Sequence, residues 1–298
     1  MSSIRFNPQP LPDLLAALEN LQQQQDTATL QLSTGSTINK PSDNPAGAAE
    51  LVEINDLSSQ VDSFQQSVGS INGLLSTADS TLSSVTTALQ RAITLGTEGA
   101  NGTLSNADRA DIAAEVSDIQ SQLISLANTS YQGQFIFSGT SGAQPFVANS
   151  SSTSGVTYNG NNGVNTVAIG PDYDLQVNQP GSQVFTGSGG NVFQSIQDLI
   201  NALQTNSDIS GAVAEVSSAS SYVSNQRVFY GNAMNQTTSQ SNYLDSEKTG
   251  LSQQVSNISA ADIATVATQV TSDQTAATAA LEAIGRMSQL GSLFDYLR

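Results

Sequence analysis

The 298-residue chain contains no cysteine, no histidine and no tryptophan. Without Cys there are no disulfides, no thiolate nucleophile and few routes to a zinc site. Without His the side chain that most often moves protons and binds metals near neutral pH is gone. Positive charge is also scarce, with 8 Lys and Arg against 25 Asp and Glu and a formal net charge of −17. The eight basic residues are scattered: Arg5, Lys40, Arg91, Arg109, Arg227, Lys248, Arg286 and Arg298. Nucleic acid and anionic membrane surfaces call for clustered Lys and Arg, so neither is an expected partner. Aromatics make up 5% of the chain, too few for a thick core of large side chains. No window approaches the roughly 18 apolar residues of a membrane span. The opening "MSSIRFNPQPLPDLLAALEN" has no apolar core of a secretory signal. The expectation is a soluble chain that, if exported, uses no conventional cleaved signal.

What is abundant is Ser, Thr, Asn, Gln, Ala and Gly, together with Val, Ile and Leu at helical spacing. After Pro8, Pro10 and Pro12, a 3,4-spaced series runs Leu11, Leu14, Leu18, Leu21, Gln25, Ala28, Leu32. This is a heptad seam with one polar interruption. "LSTGSTINKPSDNPAGAAE" then breaks it. Gly35 is a natural left-handed stop, Ser42, Asp43 and Asn44 are N-cap types, and Pro45 suits the first position of the next helix. The segment reads as a joint between helices, built on Gly35, Asn39, Asp43 and Pro45, with Ile38 pinning it to the core. The longest regular seam follows: Ile54, Leu57, Val61, Phe64, Val68, Ile71, Leu75, Ala78, Leu82, Val85, Leu89, Ala92. At about 1.5 Å per residue it predicts a helix on the order of 60 Å long.

Gly99, Asn101 and Gly102 end that helix, and Ser105 with Asp108 forms a capping-box pair that starts another. Ile112, Val116, Ile119, Leu123 and Leu126 predict that the new helix folds back antiparallel on the first. From Tyr131 the period changes to β-like runs separated by Gly, Asn and Pro. "TYNGNNGVNTVAIG" reads as a hairpin with Asn159-Gly160 and Asn162-Gly163 as candidate turns. Helical spacing returns at Val192, Phe193, Ile196, Leu199 and Leu203, and a long, more polar helix is expected from Ile209 toward Ile258. A last seam runs Ile263, Val266, Val270, Asp273, Ala277, Ala280, Ile284, Met287, Gly291, Phe294, again with a polar interruption.

The fold class is therefore mainly α. The N- and C-terminal segments are expected to form an elongated antiparallel helical bundle or coiled coil, with a small β-rich insertion at the hairpin tip. Three parts are expected: residues 1–44 with 262–298 as a terminal helix pair ordered on assembly, 45–130 with 191–261 as a helical rod, and 131–190 as the β-rich insertion.

Chemistry is not written into the chain. The acidic pairs Asp172/Asp174 and Asp108/Asp111 lie beside turns or along a helix face, not across a cleft as glycoside hydrolysis requires. "SDNPAG" and "NGNNG" carry oxygen ligands but not the spacing of an EF-hand loop. Serine has no His partner and no G-x-S-x-G context, and "GTEGANG" lacks the GK[ST] of a P-loop. The reading is a non-enzyme with no catalytic residue, no metal site and no cofactor.

Several stretches carry a family likeness. "LSTGSTINKPSDNPAGAAE" resembles the signature of the bacterial flagellin family, and "LGTEGANGTLSNADRADIAAEVSDIQSQL" resembles that family's rod domain. "YQGQFIFSGTSGAQPF", "VTYNGNNGVNTVAIGPDYDLQVNQPGSQVF" and the closing "SLFDYLR" are similar to the hook–filament junction branch of that family rather than to filament flagellins. Ser36-Thr37 stand where the family usually has a basic residue, and Asn44 where a second acidic residue is common.

The resemblance implies an extracellular structural subunit of the flagellum: an adaptor ring joining the hook, through the preceding hook-associated protein, to the flagellin filament. It implies self-association into that ring and passage through the type III export apparatus. A cytoplasmic export chaperone is implied at the C-terminal helix, with Ile284, Met287, Leu290, Leu293 and Phe294 as its candidate contacts. Assembly would use the terminal helices, through Leu11, Leu14, Leu18, Leu21, Ala28, Leu32, Ile263, Val266, Val270, Ala277, Ile284, Met287 and Phe294. The alternatives are a filament-forming flagellin, a secreted enzyme or adhesin on a flagellin-like frame, and a coiled-coil signalling protein.

Overall fold

The computed structural model describes residues 10–289, with side chains over residues 12–286. Helix α1 spans Pro10–Thr34, α2 Pro45–Gly99 and α3 Asn106–Ala127. After eight short strands and the one-turn helix α4 (Gly181–Phe185) come α5 (Val192–Thr205), α6 (Ile209–Ser259) and α7 (Ile263–Gln289). The molecule is mainly α with a small β-containing insertion. Its residues gather into two compact units, one running up to Ser59 and resuming at Lys248, the other Gln60–Glu247.

Helix boundaries follow the capping chemistry. Pro45 opens α2, and the Asn44 side chain accepts the Gly47 amide at 3.1 Å. Ser105 and Asp108 form a full capping box, the Ser105 hydroxyl receiving the Asp108 amide and the Asp108 carboxylate the Ser105 amide. Those hydrogen bonds hold the Asp108 carboxyl below its ordinary range. Asn206, in the left-handed region at φ 52°, closes α5.

In the larger unit the seam of α2 is buried from Val61 to Leu95, with Leu75, Leu82 and Leu89 fully enclosed. Phe64 is half-buried. Helix α6 answers with Val216, Val223, Tyr230, Thr237 and Leu244, all buried at a seven-residue repeat. Two cross-links fix α6 antiparallel to α2: Gln65 donates to Asp245 at 2.6 Å, and Arg227 grips Asp79 with two N–H donors at 2.8 and 3.0 Å. The Arg91–Glu115 ion pair shows that α3 folds back along α2 as expected. Helix α5 packs on α3. Leu57, which the seam places inward, is 42% exposed, in the smaller unit.

The insertion contains four separate two-stranded antiparallel ladders, each joining strands adjacent in the chain. They are β1 (Ser130–Tyr131) with β2 (Gln134–Phe135), β3 (Phe146–Ala148) with β4 (Val156–Tyr158), β5 (Thr166–Gly170) with β6 (Tyr173–Gln176), and β7 (Thr186–Gly187) with β8 (Gly190–Asn191). The expected hairpin across residues 157–170 is corrected: β4 pairs back to β3, β5 pairs forward to β6, and residues 159–165 connect them. Side chains fix that connector. The Asn161 side chain receives the Thr140 amide at 2.8 Å, and Asn178 receives the Asn165 amide at 2.7 Å. Neither Gly160 nor Gly163 takes positive φ, so the primed turns that Asn-Gly pairs favour do not form there.

The insertion is held by aromatics. Phe137, Phe146, Phe185 and Phe193 are fully buried; Phe137 packs on Phe185, and Phe146, Phe185 and Phe193 pack on one another, with ring centroids 5.1–6.0 Å apart. The Asn128 side chain acts as an extra rung beside β3, donating to the Phe146 carbonyl at 2.7 Å and accepting its amide at 2.9 Å.

Candidate functional site

The smaller unit carries the terminal helix pair and the joint. Helix α1 ends where Gly35 takes φ +68° and its amide returns to the Gln31 carbonyl at 2.8 Å. The chain then runs beside the stretch between α6 and α7. Ser36 pairs with Ala260 as an antiparallel bridge. The Thr37 amide and hydroxyl both reach the Ser259 carbonyl, at 2.6 and 3.1 Å, and the Ala261 amide reaches the Gly35 carbonyl at 2.9 Å. The joint is thus two connectors bonded side by side, not a free loop.

Each expected joint residue has a distinct structural task. Asp43 accepts the backbone amides of Asn39 and Lys40 at 3.0 and 2.8 Å, tying the turn that precedes α2. Asn39 donates its side-chain amide to the Ser36 carbonyl at 2.8 Å. Ile38 lies over Gly47, where a Cβ would stand 2.7 Å from the Ile38 Cδ1, so a side chain there meets the pin. Asp262 is a joint residue that the sequence reading passed over. It receives the Thr265 hydroxyl at 2.8 Å and the amides of Ala264 and Thr265 at 3.0 and 3.3 Å, which lowers its pKa. The signal was available: Asp three residues before Thr at a helix start is an N-cap pattern.

The N- and C-terminal seams pair with each other. Helix α1 packs antiparallel against α7, their joined ends held by the Ser36–Ala260 bridge. Leu14, Leu18, Leu21 and Gln25 are half-buried and Ala28 is buried. On α7, Val266 is buried, while Val270, Ala277, Ala280 and Ile284 are half-buried. Two seam residues stand outside the contact: Leu32 is 37% exposed and Ile263 48% exposed. A straight helix of 3.6 residues per turn drifts off a strict heptad, and Gln31 takes the inward position instead, its amide reaching the Thr37 carbonyl at 3.4 Å. Ile263 lies in the first turn of α7. The side chains of Leu11 and Met287, and all of Leu290, Gly291, Leu293 and Phe294, lie outside the described residues.

The polar interruption on α7 is buried. Asp273 is 4% exposed, and its Oδ1 accepts the Gln269 side-chain amide at 2.8 Å. Its Oδ2 is enclosed without a hydrogen bond. A groove of about 500 Å³ beside it is lined by Asn20, Gln24, Thr27 and Gln31 of α1.

Elsewhere, Asp108 is spent on its capping box, Asp172 lies in the β5–β6 turn, and Asp174 lies in β6 opposite Ala168. Among the described residues no three acidic side chains gather as a metal-binding group, and no helix is long and apolar enough to cross a membrane.

Comparison with known proteins gives a consistent picture. The family model of the bacterial flagellin N-terminal helical region matches residues 13–142, and that of the C-terminal helical region matches residues 213–297. The flagellar hook-associated protein 3 of Salmonella typhimurium is 31% identical over 190 residues, 59% of this chain and 58% of that protein. The polar flagellin B/D of Vibrio parahaemolyticus is 32% identical over 130 residues, 43% of this chain and 34% of that protein. The chain thus aligns with little more than half the length of the first and a third of the second. The crystal structure of the flagellar junction protein FlgL from Legionella pneumophila superposes with a TM-score of 0.60 at 16% identity. That superposition covers 71% of this chain and 100% of that one, a likeness of fold.

Proposed function

The chain belongs to the bacterial flagellin family, and we propose that within it the protein is the adaptor subunit between hook and filament. In this reading it is an extracellular, non-catalytic building block. Copies form a ring, bound on one side to the preceding hook-associated protein and on the other to the first flagellins. The observation that carries the reading is the 190-residue match to hook-associated protein 3, against a 130-residue match to a filament flagellin. The β insertion supports it, since the same short stretches carried the junction likeness in the sequence.

The domain roles follow. Residues 1–44 with 262–298 form the pair that orders fully only among neighbours. Residues 45–130 with 191–261 form the stable helical part, and 131–190 the β-rich insertion. The terminal pair suits a late-ordering role: apart from Ala28, Val266 and Asp273, its inward side chains are only half-buried, whereas the α2 seam holds fully enclosed leucines. Marginal helices of this kind gain their order from packing partners. Before assembly the chain passes through the type III export apparatus, with a cytoplasmic chaperone covering the last helix around Ile284 and the residues beyond it.

Immunogold labelling of isolated flagella with an antibody to residues 140–190 tests the role. A single cluster at the hook–filament boundary is expected. Label along the whole filament would make the protein a filament flagellin and end the junction reading.

A further inference from the structure

We propose that Asp273 is a brake on terminal pairing: its buried carboxylate keeps the α1–α7 pair weak in the free chain, so that full order waits for assembly. The purpose rests on the assembly role proposed above, whereas the brake itself rests on hydrogen bonding alone.

A carboxylate accepts hydrogen bonds through both oxygens. Asp273 receives one, from Gln269 on its own helix, and Oδ2 is sealed from solvent with no donor. Its seam neighbours, Val266, Val270 and Ala277, offer none. Across the pair, Asn20, Gln24 and Gln31 line the adjoining groove with amides, yet none donates to Oδ2. Helix α1 holds no Lys or Arg over its whole length, and α7 holds only Arg286, more than three turns from Asp273. No cation on either helix compensates the charge.

The contrast with the seams of the larger unit is one of charge. Among the hydroxyls buried on α2 and α6, those of Thr81 and Thr237 each donate to a carbonyl one turn back, at 2.8 Å, and that of Tyr230 stands without a partner. All three are neutral groups. The terminal seam instead takes a charged group at an inward position and leaves half of it unsatisfied. When the pair opens, water solvates both oxygens, so each opening recovers the hydration that closing removes. An unsatisfied buried acceptor shifts such an equilibrium by about 5- to 150-fold.

The test is amide hydrogen exchange on the full chain, comparing wild type with Asp273→Leu and Asp273→Asn. In Asp273→Leu, exchange in both 12–34 and 263–286 should slow about tenfold or more, with the α2, α3 and α5 segments of the larger unit unchanged. Slowing on α1, which carries no substitution, separates stronger pairing from a local helix effect. Asp273→Asn should slow exchange less, because its amide keeps the shape and loses the charge but still lacks partners. Exchange unchanged or faster in both variants overturns the proposal. The immunogold result on wild type reads the junction role separately, so loss of that role would leave the exchange result standing.

Discussion

Removing one ring from the insertion should loosen most of it. Phe146 is fully buried, and its centroid lies 5.0 Å from Tyr158, 5.3 Å from Phe185 and 5.1 Å from Phe193. The three neighbours belong to β4, α4 and α5, so no single element can move in to fill the space. Truncating a buried Phe costs about 3–5 kcal/mol, and each aromatic pair contributes about 0.5–1.5 kcal/mol beyond its buried area. Phe146→Ala should therefore cost at least the middle of that range, about 4 kcal/mol. Phe146→Leu keeps most of the volume and should cost less than half as much. Limited proteolysis of the full chain across a urea series, scored by cleavage within residues 131–190, reads the local stability. With a slope of about 2 kcal/mol per molar urea, the Ala variant should lower the midpoint by about 2 M. A fall of under about 0.5 M, or equal loss in the Leu variant, would refute the claim that this ring cluster holds the insertion.

Three further outcomes are expected. The Asp79–Arg227 pair is bidentate and only about a third exposed, so a double-mutant cycle should return a coupling of about 1 kcal/mol; Arg227→Lys should lose most of it, because an ammonium cannot match the fork. The Asp262 carboxyl titrates below 3.8 because the cap hydrogen bonds favour its charged form; its stabilisation of the α7 start is present above that value and lost as pH falls through the folded-state pKa, and a carboxyl-carbon NMR titration with a midpoint at or above 3.8 would contradict this. Leu18→Asp or Ile284→Asp should block incorporation into flagella while leaving the helicity of Gln60–Glu247 intact; helicity lost throughout would show that the two units are not separable.

The helices were legible because their signals are local and redundant. Gly35, Pro45, Gly99 and the Ser105–Asp108 box each mark a boundary that needs no tertiary knowledge. The pairing of the two terminal seams was also readable, from matching small side chains and a polar residue in each. What could not be read was decided by distant partners. Asn159-Gly160 looked like a turn, but Asn161 and Asn178 are engaged by Thr140 and Asn165, and the strands on either side take other partners. Leu32 fits a heptad on paper, but the helix drifts and Gln31 turns inward to meet the connector. The burial of Asp273 could be suspected from its seam position; that one oxygen would lack a donor required the packed pair.

The four ladders of the insertion bear on how quickly it forms. Every strand pairs with its nearest neighbour in the chain, and the longest strand has five residues. Local pairings close small loops, which is the topology that folds fastest. Edges this short also present little template for a neighbouring chain to extend. In the export proposed above, a chain that emerges unfolded beside identical copies gains from both: the insertion can complete itself before two chains have time to tangle.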